Sequence, residues 1–486
     1  MLRKSNSKLL LLLLVPAIPL AAQAATIKVP LNKPTIQAAI DSAAAGDTVQ
    51  VSPGTYYEKI DFHGKAITVT AVRSPRQTII DGKSKGPVVT FASGEVASSV
   101  LSGFVIQHGS GNFNFPCNDE GGGICVENSS PTIQFNTIKN NTACTGAGIG
   151  IGFGSPLLSE NLISNNVQGG CSGGIGGGGI SVRGASSVRI LNNIIENNMM
   201  SSADGGGISL FAAGTPTING NIIRGNTATG ISPCANGGGI SMENQSDASI
   251  GQNLITGNTA GCGGGVYMGV PSGDRGPFLV NNTISTNSGA GVYSDGFPDT
   301  SKLINNIIVA AGGQNALYCD GLRDTHPPVI QFDDIYNQSG GAYGGVCVDQ
   351  TGVSGNISAD PLFKSVASQN YHLLAGSPAI DAGSNTAANI ATTDFDGAAR
   401  IQDGNGDSIA RADMGVDEFT SSVATADLAT MDDGGHRSAA AVVAQGRPST
   451  RFQKVDTDHH RTVFSYDAAG NLMTETDTHG VKHKLK

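Results

Sequence analysis

The chain has 486 residues, with 68 glycines, no tryptophan, 5% aromatic residues and a formal net charge of −10. This acidic balance argues against a nucleic-acid-binding protein, because phosphate contacts need clustered Lys and Arg. The shortage of large side chains argues against several globular domains and predicts thin stacked units around a narrow aliphatic core.

Residues 1–24 are typical of a secretory signal peptide. Arg3, Lys4 and Lys8 precede an apolar stretch at 9–15, and Ala22 and Ala24 mark a cleavage site of small residues. The apolar stretch is too short to cross a bilayer, and no other segment is as long. We therefore expect an exported protein without a transmembrane segment, which a partner could hold at a cell surface.

Residues 25–120 are predicted to form an N-terminal cap and the first coils of a solenoid. A short amphipathic helix is expected within 34–45, with Ile36, Ala39 and Ile40 facing the core. Strands are expected at 47–51, 67–72, 77–80, 88–91 and 100–106. Such a cap closes the open end of a stacked core, as solenoids require.

Seven repeats occupy most of residues 121–360, and each motif in them returns every 24 to 32 residues. Each repeat begins with Gly-[Gly/Ala]-Gly-[Ile/Val], ending at Ile124, Ile149, Ile180, Ile208, Ile240, Val266 and Val292. Each closes with Asn-x-Ile, starting at Asn136, Asn161, Asn193, Asn221, Asn253, Asn282 and Asn306. A second Asn follows five residues later in six of the seven repeats. Units this short and this rich in Gly, Asn and β-branched residues favour strands over paired helices.

Stacking explains why one Asn recurs at a fixed place in each repeat. Coils about 4.8 Å apart bury a continuous apolar column, and an Asn at the same bend of every coil can bond to its neighbours as a ladder. The repeats resemble the right-handed parallel β-helix of the pectin-lyase-like superfamily over residues 26–360. The resemblance implies an all-β solenoid and leaves the activity open, because many activities share this scaffold.

Eight cysteines in an exported chain predict disulfides. Cys234 and Cys262 are one coil apart in sequence, as are Cys319 and Cys347, so each pair is expected to be bonded between adjacent coils. The first four cysteines allow two pairings, which are Cys117–Cys125 with Cys144–Cys171, or Cys117–Cys144 with Cys125–Cys171.

The C-terminal quarter of the chain changes character twice. Residues 361–419 contain the segments YHLLAGSPAIDAG, DFDGAAR and DMGVDEF, which resemble the C-terminal module of secreted bacterial surface β-helix proteins. We expect this module to pack over the last coil as a cap. Residues 420–486 are predicted to be a disordered linker with one segment, FSYDAAGNLMTETDTHG, that resembles a single Rhs-type YD repeat.

A binding surface is predicted from two tyrosines at equivalent positions of neighbouring coils. Tyr267 and Tyr293 follow the inward residues Val266 and Val292, so strand alternation points both rings outward. Two exposed rings side by side suit the apolar face of a sugar. The alternative is an external aromatic stack that stabilises the coils by about 0.2–1 kcal/mol.

Carboxylates beside these tyrosines are candidates for catalysis. A glycosidase needs two carboxylates flanking a bond, and Asp295 and Asp299 follow Tyr293 in an expected loop. A pectate-lyase-like site needs acidic Ca²⁺ ligands and a basic residue, for which Asp274 and Arg275 are the match. Acids on solvent-facing loops that only promote solubility are the alternative.

A Ca²⁺ site is predicted from Asp403, Asn405 and Asp407, which place oxygen ligands at alternate positions of a glycine-containing loop. An Asx-rich turn is the alternative interpretation. The most favoured function is binding of an extracellular or cell-surface polysaccharide. The other two hypotheses are a polysaccharide lyase or glycoside hydrolase and a structural spacer or adhesin stalk.

Overall fold

The computed structural model describes residues 23–72, 77–111, 117, 120–171, 176–184, 186–229, 236–269, 276–295, 300–321 and 327–420, and the backbone of 450–455, 461–466, 472–476 and 482–484. The predicted signal peptide falls almost wholly outside these ranges.

Three long parallel β-sheets form a right-handed β-helix, because successive strands of each sheet come from successive coils. Sheet 1 has twelve strands, Thr26–Val29, Thr48–Val51, Thr68–Ala71, Val100–Ser102, Thr132–Gln134, Leu157–Ser159, Arg189–Leu191, Thr217–Asn219, Ser249–Gly251, Phe278–Val280, Lys302–Ile304 and Val329–Gln331. Sheet 2 has eleven, Gly54–Tyr56, Thr78–Asp81, Val105–Gln107, Thr137–Lys139, Leu162–Ser164, Ile194–Glu196, Ile222–Arg224, Leu254–Thr256, Thr283–Ser285, Ile307–Val309 and Asp334–Tyr336. The predicted fold class is confirmed.

Sheet 3 also has eleven strands, Ile60–Asp61, Val89–Phe91, Ile124–Glu127, Ile149–Gly152, Ile180–Arg183, Ile208–Phe211, Ile240–Glu243, Val266–Gly269, Val292–Asp295, Leu317–Cys319 and Tyr343–Gly345. A short sheet 4 joins Thr142–Ala143, Val167–Gln168, Met199–Met200 and Thr227–Ala228. The stretch 100–106, predicted as one strand, is divided between sheets 1 and 2. Gly103 turns the chain there with a φ of +86°.

The N-terminal end is closed by the helix Ile36–Ser42, in which Ile36, Ala39 and Ile40 are buried as predicted. Thr35 caps this helix, since its side chain accepts a hydrogen bond from the backbone N–H of Ala38 at 3.1 Å. None of the helices in the described part of the chain has the length and hydropathy of a membrane span.

The interior is one column of aliphatic side chains. In sheet 3 alternate residues point inward, as Ile208 and Leu210 do, and sheets 1 and 2 add residues such as Ile218 and Ile223. Full burial of such a side chain contributes about 1.5–3 kcal/mol. One coil has only one layer of these residues, so the coils are stable only as a stack.

Two ladders of buried asparagines follow two bends of the coil. One joins Asn136, Asn161, Asn193, Asn221, Asn253, Asn282 and Asn306, and the other joins Asn141, Asn166, Asn198, Asn226, Asn258 and Asn287. At Asn221 the backbone N–H and the side-chain Nδ2 both donate to Oδ1 of Asn253 at 2.9 Å, and Nδ2 also donates to the Ile190 carbonyl at 2.8 Å. Asn221 has no exposed surface, so the predicted buried ladder is confirmed.

Asp333 takes the next position of the first ladder. Its Oδ1 accepts hydrogen bonds from the backbone N–H and from Nδ2 of Asn306, at 2.6 and 2.8 Å, and its own N–H donates to Oδ1 of Asn356 at 3.0 Å. Asp333 is fully buried, and its Oδ2 has no hydrogen-bond partner among the described residues. Burial raises the pKa of Asp333 to about 8, although hydrogen bonds from Asn306 oppose the shift.

The described disulfides are Cys117–Cys125, Cys144–Cys171 and Cys319–Cys347. The first two are one of the two pairings that the sequence left open. Cys319 and Cys347 lie on adjacent coils with their Cα atoms 5.2 Å apart, as the one-coil spacing predicts. Cys262 is also disulfide-bonded, but its predicted partner Cys234 lies outside the described residues.

Residues 361–419 form a module of loops with one antiparallel hairpin, Phe363–Ser365 and Asn370–Leu373, joined by the 3₁₀ helix Val366–Ser368. The module was expected over the last coil, but it packs along the side of the β-helix. Outward-facing Ile307 of sheet 2 is buried against Leu373, Ala379 and Met414. The physical reason is that the side of these coils is apolar and needs cover.

Arg400 joins the module to the β-helix. It is fully buried, and its Nη1 donates to Glu418 Oε1 at 2.8 Å and to the Gly415 carbonyl at 3.1 Å. Its Nη2 donates to Gln252 Oε1 and to the Val416 carbonyl, both at 3.0 Å. Gln252 belongs to the β-helix, so this guanidinium is one of the groups that connect the two parts. Asn281 Nδ2, for example, donates to the Gly415 carbonyl at 3.3 Å.

Residues 450–484 include a four-stranded antiparallel sheet of Thr450–Val455, Arg461–Tyr466, Leu472–Thr476 and Lys482–Lys484. The first of these strands, Thr450–Val455, falls inside the segment predicted to be a linker. Thr450, Phe452 and Val455 are residue types that favour strands. Residues 421–449 of the predicted linker lie outside the described ranges.

Candidate functional site

The outer face of sheet 3 carries two columns of side chains, because every second residue of its strands points away from the core. The first column is Cys125, Gly150, Ser181, Ser209, Ser241, Tyr267, Tyr293 and Tyr318. Most of this column is buried, since the glycine-rich segment before each strand folds over it. A Cβ added to Gly205, for example, would lie 2.7 Å from the Cβ of Ser209.

The predicted tyrosine pair is part of a stack of three rings. Tyr267 and Tyr293 have ring centroids 5.6 Å apart, and Tyr293 and Tyr318 have centroids 5.0 Å apart. The Tyr267 hydroxyl donates to Asp295 Oδ2 at 3.2 Å, and the Tyr293 hydroxyl donates to Asp320 Oδ2. Burial and the hydrogen bond to Asp320 raise the pKa of Tyr293.

The prediction that both rings are exposed is wrong for Tyr267, which is only 4% exposed, and Tyr293 is half-buried. The rings cover one another's faces, and a Cβ on Gly344 would lie 2.8 Å from the Tyr318 ring. A sugar ring therefore has no free face to stack on among Tyr267, Tyr293 and Tyr318. The geometry favours the alternative interpretation, in which the tyrosines stabilise neighbouring coils.

Tyr318 was missed by the sequence reasoning. Its coil lacks the glycine-rich motif, because Ala316 and Leu317 stand where the other coils have Gly and Ile or Val. The signal that could have found it is Tyr-x-Asp, which occurs at Tyr293 to Asp295 and again at Tyr318 to Asp320.

Of the four predicted catalytic residues, the structure describes one. Asp295 is the last residue of the sheet 3 strand Val292–Asp295 and is 5% exposed, so it is not on a loop as expected. Asp274, Arg275 and Asp299 lie outside the described residues.

The second outward column of sheet 3 is more polar, and consists of Glu127, Gly152, Arg183, Phe211, Glu243, Gly269 and Asp295. Asp320, which directly follows the strand Leu317–Cys319, continues this column. Arg183 is its basic residue. Arg183 Nε lies 2.6 Å from Glu120 Oε1, and Nη2 lies 3.0 Å from Glu127 Oε2. Gly152 makes this possible, because a Cβ there would lie 2.1 Å from Glu127 Oε2.

An exposed aromatic ring lies beside this ion-paired arginine. Phe153 is 56% exposed, its ring centroid is 5.4 Å from the Arg183 guanidinium carbon, and a Cβ on Gly184 would lie 2.5 Å from the ring. One face of the ring thus packs on the protein and much of the remainder meets solvent. Burial raises the pKa of Glu127, and Arg183 opposes the shift. We call Glu120, Glu127, Phe153 and Arg183 the Phe153–Arg183 patch.

Sequence reasoning did not find the Phe153–Arg183 patch, because Phe153 and Arg183 belong to different coils and to no repeated motif. Aligning the repeats could have found part of this patch, because three of the residues concerned share one repeat position. Glu127, Gly152 and Arg183 each stand three residues after the Ile that closes the glycine-rich motif.

The loop predicted to bind Ca²⁺ has its side-chain oxygens engaged by its own backbone. Asp403 Oδ1 accepts hydrogen bonds from the N–H groups of Gly406 and Asp407, and Asn405 Oδ1 accepts one from Asp407. Asp407 Oδ1 accepts a hydrogen bond from the N–H of Ile409. These bonds are typical of the Asx-rich turn that was the alternative interpretation.

Comparison with known proteins gives two family matches. Residues 98–269 match the model described as right handed beta helix region, and residues 299–396 match the model described as disaggregatase related. A search of curated proteins found no match.

Among solved structures, the fold is similar to that of pectate lyase Pel9A, with a TM-score of 0.48 and 15% identity over 79% of this chain and 91% of that chain. It is also similar to the PL6 family alginate lyase AlyGC, with a TM-score of 0.36 and 18% identity over 71% of this chain and 55% of that chain.

Proposed function

We propose that the protein is exported and binds an extracellular or cell-surface polysaccharide along the outer face of sheet 3. The observation that supports this most directly is the Phe153–Arg183 patch. Phe153 offers an apolar ring to solvent, while Arg183, Glu120 and Glu127 offer charged hydrogen-bonding groups beside it. Sugars present the same combination, an apolar ring face bordered by hydroxyl groups.

The spacing of the second outward column favours a polymer over a small molecule. Neighbouring strands of a sheet are about 4.8 Å apart, so equivalent side chains repeat at that interval along the β-helix. A linear glycan lying along the column would meet Arg183, Phe211 and Glu243 on three successive coils.

The charge of the same column indicates the class of polysaccharide. Glu127, Glu243 and Asp320 place negative charge along it, and Arg183 is already paired with two glutamates. A polyuronate would meet repulsion from these carboxylates. A neutral or amino-sugar polymer is therefore the proposed ligand.

Export is supported by the disulfides. Bonds such as Cys144–Cys171 and Cys319–Cys347 persist in oxidising compartments and are rare in the cytosol.

The experiment is affinity electrophoresis of residues 25–486 through a panel of neutral, amino-sugar and uronic-acid polysaccharides, with and without Ca²⁺. We expect retention by a neutral or amino-sugar polymer. Phe153→Ala should weaken retention by about 2- to 12-fold, because an aromatic contact is worth roughly 0.5–1.5 kcal/mol.

A matched control is Tyr57→Ala, since Tyr57 is 62% exposed and has Lys83 Nζ 3.8 Å from its ring centroid. This variant removes an exposed ring with a neighbouring cation outside the patch, so it should keep full retention. Equal loss in both variants would contradict the assignment. New reducing ends or unsaturated products would favour the lyase or hydrolase hypothesis, and no retention on any polymer would favour the spacer.

A further inference from the structure

Three potential metal ligands converge in the C-terminal module, away from the Phe153–Arg183 patch. They are His372 in the strand Asn370–Leu373, Asp396 in the loop that follows Asp394, and Asp417 near the end of the module. One ligand atom from each lies within 4.8 Å of the others, and His372 Nε2 is 2.9 Å from Asp396 Oδ2. The three residues come from three segments separated in sequence.

Hydrogen bonds hold these ligands in place. Asp417 is 8% exposed, and its Oδ2 accepts a hydrogen bond from the N–H of Leu373, the neighbour of His372, at 2.9 Å. No other hydrogen-bond donor reaches Asp417 from the part of the chain that the structure describes. Asp394 Oδ1 accepts from the N–H of Asp396 at 3.0 Å and so fixes the loop that carries the second carboxylate.

The surroundings contain an excess of carboxyl groups over basic groups. Asp394, Asp413 and Glu418 are buried carboxyl groups of the same module, each 5% exposed or less. Arg400 is the buried cation nearby, and its hydrogen bonds go to Glu418, Gln252 and two backbone carbonyls. A cation between His372, Asp396 and Asp417 would offset this excess.

The donor set selects the kind of cation. Ca²⁺ and Mg²⁺ bind oxygen ligands, whereas an imidazole nitrogen with carboxylates suits Zn²⁺ and similar first-row divalent ions. Bonds of about 2.0–2.2 Å place the ligand atoms of a tetrahedral site roughly 3.4 Å apart, so small side-chain rotations would suffice here.

We propose that His372, Asp396 and Asp417 form a binding site for a divalent transition-metal ion, with Zn²⁺ as its best match. The bound ion would cross-link three segments of the C-terminal module. The site is distinct from the loop of Asp403, Asn405 and Asp407 that the sequence suggested. It links the hairpin to the segment carrying Met414, which packs on the β-helix. Its role is structural, so it stands independently of the polysaccharide proposal.

The test is calorimetric titration of Zn²⁺ into untagged residues 25–486 after treatment with EDTA. One site per chain is expected, and Zn²⁺ should raise the melting temperature. His372→Ala should weaken this site by at least about 100-fold, because mutations of groups that only support a ligand already cost about 10–100-fold. Co²⁺ should give d–d absorption in the wild-type protein and none at that site in the variant.

The matched control is His63→Ala. His63 also lies between two aspartates, but it approaches Asp61 through Nδ1 at 3.3 Å and Asp41 through Nε2 at 3.8 Å, so one ion cannot bind all three. This variant should keep the site. Asp396→Asn, a change at an exposed residue, provides a second disruption that keeps the fold, as circular dichroism would verify. Zn²⁺ binding that is unchanged in His372→Ala and Asp396→Asn, or stabilisation by Ca²⁺ equal to that by Zn²⁺, would overturn the assignment.

Discussion

Asp333 is the position of the first asparagine ladder, within the described coils, where a carboxyl group replaces an amide. Its Oδ1 behaves like the Asn oxygen, whereas its Oδ2 stands where Asn would have a donor. A proton on Oδ2 restores a donor, so the neutral acid fits this buried bend and the carboxylate does not. Asp334 beside it is also buried, and burial raises the pKa of Asp334 to about 7.

Stability should therefore fall as the pH rises between about 4 and 8. In this window the folded protein keeps the Asp333 proton, since its folded pKa of about 8 lies above the ordinary value of 3.8, and the unfolded chain has lost it. Asp333→Asn should match the wild type near pH 4 and be more stable at pH 8, by on the order of 5 kcal/mol. Urea unfolding at both pH values would measure the difference.

The control is Asp349→Asn, which removes an exposed carboxyl group whose Oδ1 accepts hydrogen bonds from Thr351. That variant should not become more stable at high pH. If Asp333→Asn were no more stable than the wild type at pH 8, a neutral Asp333 in the folded protein would be ruled out.

Asn221 shows what the ladder contributes at an ordinary position. Asn221→Ala removes an acceptor for Asn193 and leaves the Ile190 carbonyl without its donor in a buried place. A loss of about 1–3 kcal/mol in unfolding free energy is expected. Asn219→Ala, on the half-buried outer face two residues earlier, should cost less than half of that. Equal unfolding curves for Asn221→Ala and the wild type would show that the ladder adds nothing to stability.

At the level of structural elements, one buried ion pair lies where the C-terminal module meets the β-helix. Arg400 and Glu418 have no exposed side-chain surface, and Arg400 also reaches Gln252 on the β-helix. Burial raises the pKa of Glu418, and the charge and hydrogen bond of Arg400 oppose this shift. Removing the arginine would leave the buried Glu418 carboxyl group without its cation, and would remove a hydrogen bond between the module and the β-helix.

Arg400→Ala should cost about 3–5 kcal/mol, the usual result of breaking a buried pair from one side. The module should then become accessible to limited proteolysis while the β-helix stays folded. Arg411→Ala is the matched control, because Arg411 makes an exposed ion pair with Asp407 in the same module at 3.3 Å. A module as resistant in Arg400→Ala as in Arg411→Ala would contradict the role given to Arg400.

At the scale of the whole molecule, the sequence repeats were sufficient to predict the structural features that recur once per coil. The inward Ile or Val of sheet 3, the ladder Asn and the one-coil spacing of Cys319 and Cys347 all follow from a constant register. A period of one coil is a property of the sequence itself, so these features needed no three-dimensional information.

Contacts between parts with no common period could not be predicted in this way. The packing of Phe153 on Gly184 depends on how two loops of adjacent coils fold over sheet 3. The burial of Tyr267 depends on the layer outside its strand, which strand alternation does not describe. The side-on position of the C-terminal module depends on contacts such as Arg400 with Gln252, almost 150 residues away.

The asparagine ladders also give the molecule a direction. Between neighbouring ladder positions, the amide of the earlier coil donates and the amide of the later coil accepts, as Asn193, Asn221 and Asn253 show. A nascent stack therefore ends at this bend with two N–H groups that await the next coil, the backbone N–H and the second hydrogen of the Asn Nδ2, since the first bonds to the preceding coil. An incoming coil meets both with one oxygen. Each finished coil acts as a template that accepts the next coil in a single register.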